Sequence, residues 1–153
     1  MRWRPDNRGE WIQFTALAFI GGLLGVGTFT AWYARGASYL SDHPDACLNC
    51  HVMREMYDAW SHGSHKAVAT CNSCHTPHGF VGKWSVKVIN GVNHSVKFTL
   101  DDFHDPIRAN AMNRRVAQDN CVRCHAELVS EIHRTASGEI QQCLRCHARV
   151  GHL

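Results

Sequence analysis

Four short stretches decide the fold of this chain: CLNCH at 47–51, CNSCH at 71–75, CVRCH at 121–125 and CLRCH at 143–147. In each stretch two residues separate a pair of cysteines, and a histidine follows at once. This is the attachment signal for c-type haem, because two thiols bond to the porphyrin and the adjacent imidazole reaches the iron as an axial ligand. The sequence therefore predicts four covalently bound haem c groups, held by the eight cysteines Cys47, Cys50, Cys71, Cys74, Cys121, Cys124, Cys143 and Cys146.

Two other uses of paired cysteines account for less of this pattern. Zinc ribbons also contain CxxC pairs, but a ribbon gives no reason for a histidine directly after all four of them. A disulfide framework would leave the histidines unexplained in the same way. If a haem is attached at every motif, all eight cysteines are accounted for.

The segment 11–33, WIQFTALAFIGGLLGVGTFTAWY, contains no Asp, Glu, Lys, Arg or His. At helical rise it spans roughly 34 Å, enough to cross a bilayer core of about 30 Å. Trp11 and Trp32 stand where an interfacial aromatic belt is expected. The pattern predicts a transmembrane helix over 11–33. A cleaved signal peptide is the alternative, but the apolar run is longer than a usual signal core and no good A-x-A site follows it.

Basic residues are unevenly distributed about this span. Arg2, Arg4 and Arg8 precede it, whereas Arg35 is the only Lys or Arg among the next twenty residues. By the positive-inside rule, residues 1–10 are cytoplasmic, and residues 34–153 form a domain in the periplasm, outside the cytoplasmic membrane.

The composition excludes other classes of protein. A charged fraction of 19% and a hydrophobic fraction of 44% are unlike those of a disordered chain or a polybasic nucleic-acid binder. Haem propionates would add about eight negative charges, enough to reverse the net charge and exclude nucleic acid as a partner. The porphyrins would also supply the apolar surface that so short a domain lacks.

Local patterns predict helix and loop. Segments 52–60 and 111–133 carry apolar residues at three- and four-residue spacing, whereas 75–79 and 101–106 read as breaks. No segment shows sustained alternation. We therefore expect a mainly α fold, with one transmembrane helix and a compact tetrahaem domain that has little or no sheet.

Low-spin haem irons need second ligands, and eight histidines lie outside the motifs. Only two or three of them are needed, so from the residues alone a surface or hydrogen-bonding role is the default for each. They are His43, His62, His65, His78, His94, His104, His133 and His152.

In combination, CLNCHVM at 47–53, AWSHGSHKAVATCNSCHTPHGF at 59–80, KVINGVNHSVKFT at 87–99 and CLRCHARVGH at 143–152 resemble the NapC/NirT family of tetrahaem quinol dehydrogenases. Within that family they are most similar to the membrane-anchored small subunits of cytochrome c nitrite reductases. The resemblance covers nearly the whole chain. It implies oxidation of menaquinol from the lipid bilayer and delivery of electrons to a pentahaem catalytic subunit that reduces nitrite to ammonium.

The resemblance also implies the iron ligands. In such small subunits the first haem takes a methionine two places after the motif histidine, here Met53 in place of His51. Without the resemblance, His51 would be the expected ligand and Met53 an ordinary core residue.

For the other three haems the resemblance implies crossed ligation. His152 would complete the haem of His75, and His65 that of His147. The haem of His125 would take a lysine from the partner reductase.

The segment 82–98 has a polar stripe at helical spacing, beside a mostly apolar face of Val81, Trp84, Val88, Val92 and Ser95. Such a stripe is usually solvated. In the family this segment lies beside the first haem at the membrane interface, where a lysine contacts the quinol; Lys87 matches it best and Lys83 is the alternate. The family's acidic position is occupied by His94, which could accept a quinol proton or bind iron. The stripe comprises Lys83, Lys87, Asn90, His94 and Lys97.

Two other functions remain open at this stage. One is a quinol dehydrogenase of the same family that supplies a different periplasmic reductase. The other is a haem wire or sensor without a quinol site, against which the polar stripe argues weakly.

Overall fold

The computed structural model describes residues 5–132 and 141–152. Within these ranges all regular structure is helical, which confirms the predicted mainly α fold. The α-helices are α1 (Arg8–Tyr33), α2 (Arg54–His62), α3 (Cys71–His75), α4 (Phe80–Thr99), α5 (Ala111–Cys124) and α6 (Ala126–Ile132).

Short 3-10 turns connect these helices and carry two of the haem motifs. The first motif spans two such turns and the fourth opens with one, whereas the second lies on α3 and the third ends α5. A helical turn brings residues three apart to the same face, so the two thiols of each motif are presented together. The turns are Gly36–Leu40, Pro44–Asn49, His51–Met53, Ser64–Ala67 and Cys143–Arg145.

The chain divides into two compact units, Met1–Ser41 and Asp42–Leu153. The first contains α1, which begins after an N-cap in which the side chain of Asn7 accepts a hydrogen bond from the backbone N–H of Glu10. Among the described residues α1 is the one helix long and apolar enough to cross a membrane, and none of its residues is buried. The predicted span 11–33 lies inside this helix; Arg2 and Arg4 lie outside the described residues.

In the second unit the breaks and helices follow the predicted pattern. Segments 76–79 and 100–110 separate the helices on either side of them, α3 from α4 and α4 from α5. The predicted segment 111–133 forms two helices, because His125 leaves helical geometry at φ −107° and ψ 22°. Residue 133 itself lies outside the described residues.

Side chains alone supply very little core. Among the described residues only two hydrophobic side chains are buried, Val86 and Val129. Five other buried residues are polar or charged, a reversal of the usual interior. The unit is therefore organised around something other than packed aliphatic groups. The five are Thr76, Lys87, Asn90, Gln118 and Asn120.

Amide side chains of α5 tie the unit together. Asn120 donates 2.9 Å hydrogen bonds to the carbonyls of Cys74 and Thr76. Gln118 accepts from the backbone N–H of Cys143 at 2.8 Å. Helix α5 thus holds the second and fourth motifs in place beside the third, which forms its own C-terminus.

Candidate functional site

All eight motif cysteines lie in the described part of the chain as free thiols. In the first, third and fourth motifs the first cysteine is half-buried and the second is exposed. Free, partly accessible thiols in every motif are what covalent attachment of a porphyrin requires.

Successive motifs are neighbours in space. A hydrogen bond from Cys71 lowers the pKa of Cys47 to about 7. Burial, and next the charge of Cys124, raise the pKa of Cys74. Burial, and next the charge of Cys143, raise the pKa of Cys121 in turn. These interactions link the first motif to the second, the second to the third and the third to the fourth.

Two pairs of imidazoles lie close together in space. The ring centroids of His75 and His152 are 5.8 Å apart, and those of His65 and His125 are 6.2 Å apart. An iron held by two imidazole nitrogens at about 2 Å each separates the ring centroids by roughly 6 Å. The centroid separations of both pairs match this spacing.

The environment of the first pair also suits a metal. Nδ1 of His152 lies 3.1 Å from the carbonyl oxygen of Met56. Since a carbonyl only accepts, Nδ1 carries the proton and Nε2 is left to bind a metal. Burial, and next the charges of His152 and His94, lower the pKa of His75, so its ring is neutral, as a metal ligand must be.

The structure brings together His75 and His152, the two residues that the resemblance paired. It places His65 beside His125, whereas the resemblance paired His65 with His147. His133 lies outside the described residues.

An open cavity of about 710 Å³ adjoins the third motif. Its volume suits a large prosthetic group, and its wall includes one attachment thiol and the motif histidine. The lining residues are Arg123, Cys124, His125, Ala126, Glu127 and Leu128.

The first motif ends on the turn His51–Met53, where His51 is exposed and Met53 is half-buried. The half-buried thioether is the better placed of the two to reach a group inside the unit. Which side chain binds the first iron stays a prediction.

The polar stripe of α4 is turned inward at Lys87 and Asn90. Lys87 is 4% exposed, and the carboxamide of Asn90 exchanges hydrogen bonds of 3.0 and 3.1 Å with that of Asn113. The neighbouring apolar face points outward, with Val88 at 63% and Val92 at 58% exposure. The usual interpretation of such a stripe, a solvated helix face, is therefore wrong for these two residues.

Lys87 and Lys83 converge on one carboxylate, that of Asp42. The ammonium of Lys83 bonds to Oδ2, and Nζ of Lys87 lies 3.2 Å from Oδ1. Nδ2 of Asn72 donates to the same Oδ1 at 2.7 Å. Nζ of Lys87 also lies 5.4 Å from the centre of the Trp84 ring, a cation–π distance. We call Asp42, Lys83, Lys87 and Asn72 the lysine cluster.

Electrostatics within the lysine cluster favour the ionised form of Asp42. The hydrogen bond from Lys83 is the largest cause that lowers the pKa of Asp42 to about 2, and bonds from Lys87 and Asn72 add to it against the opposing effect of burial. Two turns further along α4, partial burial lowers the pKa of His94. At neutral pH the cluster thus offers ammonium donors and His94 offers a neutral imidazole.

Asp42 and Asn72 were not among the candidate residues found in the sequence. Asp42 is one of 13 acidic residues and belongs to no motif. The signal that could have found it is indirect: a lysine that turns inward needs a counter-charge.

The family model described as the NapC/NirT cytochrome c family, N-terminal region, matches residues 7–153. The chain belongs to the NapC/NirT cytochrome c family. This confirms the family resemblance, and membership of a cytochrome c family implies covalently bound haem c. Together with α1, it fits a single-pass membrane protein.

Relatives within the NapC/NirT family are similar over most of the chain. Cytochrome c-type protein NrfH of Wolinella succinogenes is 34% identical, with 95% of this chain and 89% of that protein covered. Cytochrome c nitrite reductase subunit NrfH of Nitratidesulfovibrio vulgaris is 32% identical, with 87% and 80% covered. Cytochrome c-type protein NapC of Escherichia coli K12 is 26% identical, with 98% and 86% covered.

A solved structure shares the fold. It is a chain of the cytochrome c nitrite reductase NrfHA complex bound to the HQNO inhibitor, with a TM-score of 0.64 and 30% identity over 90% of each chain.

Proposed function

We propose that this chain is the membrane-anchored quinol dehydrogenase subunit of a cytochrome c nitrite reductase, which oxidises menaquinol and supplies a catalytic subunit that reduces nitrite to ammonium. The observation that carries the proposal is the succession of four attachment motifs in a chain similar to NrfH over nearly its whole length. A solved relative is part of a nitrite reductase complex.

The topology we propose places residues 1–10 in the cytoplasm, 11–33 in the membrane and 34–153 in the periplasm. The distribution of arginines around the span supports it. An exported haem domain can dock a periplasmic reductase, while α1 keeps it beside the pool of lipid-soluble quinol.

We propose four haems with ligands shared across the chain. Met53 would bind the iron of the first motif. His152 would share an iron with His75. His65 would complete either the haem of His147, as the resemblance implies, or that of His125, whose ring centroid lies 6.2 Å away. A lysine of the partner reductase would complete the other of these two haems.

The quinol site would use the inner face of α4. Lys87, with Lys83 beside it, would bind a hydroxyl oxygen of menaquinol. His94, neutral at pH 7, would accept one of the two quinol protons, and the other would pass to water. The haems held by the four motifs would supply one-electron redox chemistry for the two electrons. The chain's own part is to orient the quinol and receive the first proton.

A second candidate function is delivery of electrons to another periplasmic reductase, as the similarity to NapC suggests. The identity to NapC is 26%, against 34% and 32% to the two NrfH proteins. The nitrite reductase role is therefore favoured.

The deciding experiment is gentle detergent purification of the full chain from native membranes, followed by assay with a reduced menaquinol analogue. We expect a larger cytochrome to co-purify, and nitrite to be consumed with oxidation of the quinol in a reaction that HQNO inhibits. Quinol oxidation coupled to another acceptor but not to nitrite would favour the second candidate. Four haems without any quinol oxidation would indicate a wire or sensor.

A further inference from the structure

The carboxylate of Asp42 is shared by three donors from two separate helices. Lys83 and Lys87 come from α4, and Asn72 comes from α3 within the second motif. A single carboxylate therefore fixes the inner face of α4 against the helix that carries an attachment site.

Burial makes this carboxylate important for Lys87 more than for Lys83. The side chain of Lys87 is 4% exposed, that of Lys83 26% and that of Asp42 49%. A buried ammonium without a counter-charge loses its proton, because desolvation disfavours the charged form. The ammonium of Lys83, one turn away on the same helix, would add like-charge repulsion to this effect.

We propose that Asp42 is the positioning residue of the quinol site, which holds Lys87 protonated and in place so that Lys87 acts as a hydrogen-bond donor to the quinol and never as the base. This rests on the proposed function and refines it. An ammonium has three donors and no acceptor. It can stabilise negative charge on a quinol oxygen as the proton leaves, but that proton must go to another group, for which His94 is available.

The charged and aromatic groups near Lys87 bear on what a change at Asp42 would do. Among them are the carboxylate of Asp42, which is 3.2 Å from Nζ, the ammonium of Lys83 on the same carboxylate and the ring of Trp84. The sulfur of Cys47 is near enough for Lys87 to lower the pKa of its thiol. Asp42→Asn keeps the shape and the link to Asn72 while removing the negative charge. Without this negative charge the buried ammonium of Lys87 would be less favoured.

The test compares Asp42→Asn, Asp42→Glu and a matched control in the purified full-length complex. The control is Asp102→Asn, which removes the 3.2 Å ion pair with Lys97 on the exposed end of the same helix. Two assays are run from pH 5 to 9: nitrite reduction driven by a menaquinol analogue, and nitrite reduction driven by a reduced dye that donates directly to the haems.

For Asp42→Asn we expect kcat/KM for the quinol analogue to fall roughly tenfold to hundredfold at pH 8. We expect part of the loss to recover as the pH is lowered, because a lower pH favours the ammonium form. The dye-driven rate and haem content should stay at wild-type values, Asp42→Glu should restore most of the quinol rate, and Asp102→Asn should behave as wild type.

Three results would overturn the inference. They are a wild-type quinol rate in Asp42→Asn, a parallel loss of the dye-driven rate, and a loss that is independent of pH and not restored by Asp42→Glu. The proposed function fails separately, if wild-type complex itself does not couple quinol oxidation to nitrite.

Discussion

Lys87 is buried, lies in an ion pair and is expected to contact the quinol. A lysine at 4% exposure that retains an ion pair is costly to keep, which points to a use for the charge. We predict that Lys87→Ala abolishes quinol oxidation, with a loss of rate of at least about a hundredfold. All four haems should remain attached, as measured by mass spectrometry. Lys97→Ala, which alters an exposed lysine of the same helix, is the control. Turnover of Lys87→Ala at the wild-type rate would remove Lys87 from the site.

His94 should set the acidic limb of the pH profile. Partial burial depresses its pKa below the usual 6.5, so the ring is neutral at pH 7 and becomes protonated only as the pH falls through that lowered value. A protonated imidazole cannot accept a quinol proton, and quinol oxidation should therefore decline at pH values below 6.5.

The variant His94→Gln should lower kcat by about a hundredfold and remove this limb, while His94→Asp should move the limb to lower pH. The measurement is the steady-state rate with a menaquinol analogue against pH. An acidic limb that survives unchanged in His94→Gln would assign proton acceptance to another group.

Met53 offers a test of the first haem alone. Replacing the half-buried thioether of Met53 by Leu should change the absorption and low-temperature magnetic spectra of one haem in four and leave the others alone, because thioether and imidazole ligands give iron different electronic properties. Met56→Leu, three residues further on, is the matched control. If only His51→Gln changes that spectrum, the motif histidine is the ligand.

At the scale of elements, α4 shows what the periodicity of polar and apolar residues can and cannot predict. The sequence predicted α4 as a helix with one polar and one apolar stripe, and both stripes are present. Periodicity measures the separation of polar from apolar residues but not which side faces inward. In α4 the direction depends on partners from elsewhere in the chain, the carboxylate of Asp42 and the carboxamide of Asn113, that no local pattern reveals.

The amide ties of α5 predict a measurable effect on stability. Asn120 is buried and its Nδ2 satisfies the carbonyls of Cys74 and Thr76. Asn120→Ala leaves both carbonyls without this donor, so we expect the free energy of unfolding to fall by about 1–3 kcal/mol. The melting temperature, measured by the visible absorbance of the haems, should be lower. Asn93→Ala, an exposed position on α4, should change the stability far less. Equal melting temperatures for Asn120→Ala and wild type would show that the amide ties do not hold the motifs.

For the molecule as a whole, the sequence predicted the attachment chemistry, the helical class and the membrane span, because each is encoded by local spacing or composition. It could not establish which histidines meet, because ligation joins positions such as His75 and His152 that lie far apart in the chain. The pairing of His65 with His125 in space is a property of the fold, and the resemblance suggested a different partner for His65.

Because few aliphatic residues are buried, we predict that the porphyrins form the core of the second unit. With Val86 and Val129 as the only buried hydrophobic residues in the described part of the chain, side chains cannot offset the entropy of ordering the unit. Cys121→Ser with Cys124→Ser should yield three haems by mass spectrometry and a domain that proteases degrade much faster, since the cavity of about 710 Å³ beside His125 is left without its filling. Because the third motif stands between the second and the fourth, the quinol-driven rate should vanish as well.

Asp119→Asn, on the exposed side of the same helix, controls for substitution in α5. Wild-type protease resistance in the double variant would mean that the polypeptide folds by its own packing, and that the haems are held by the structure without forming it.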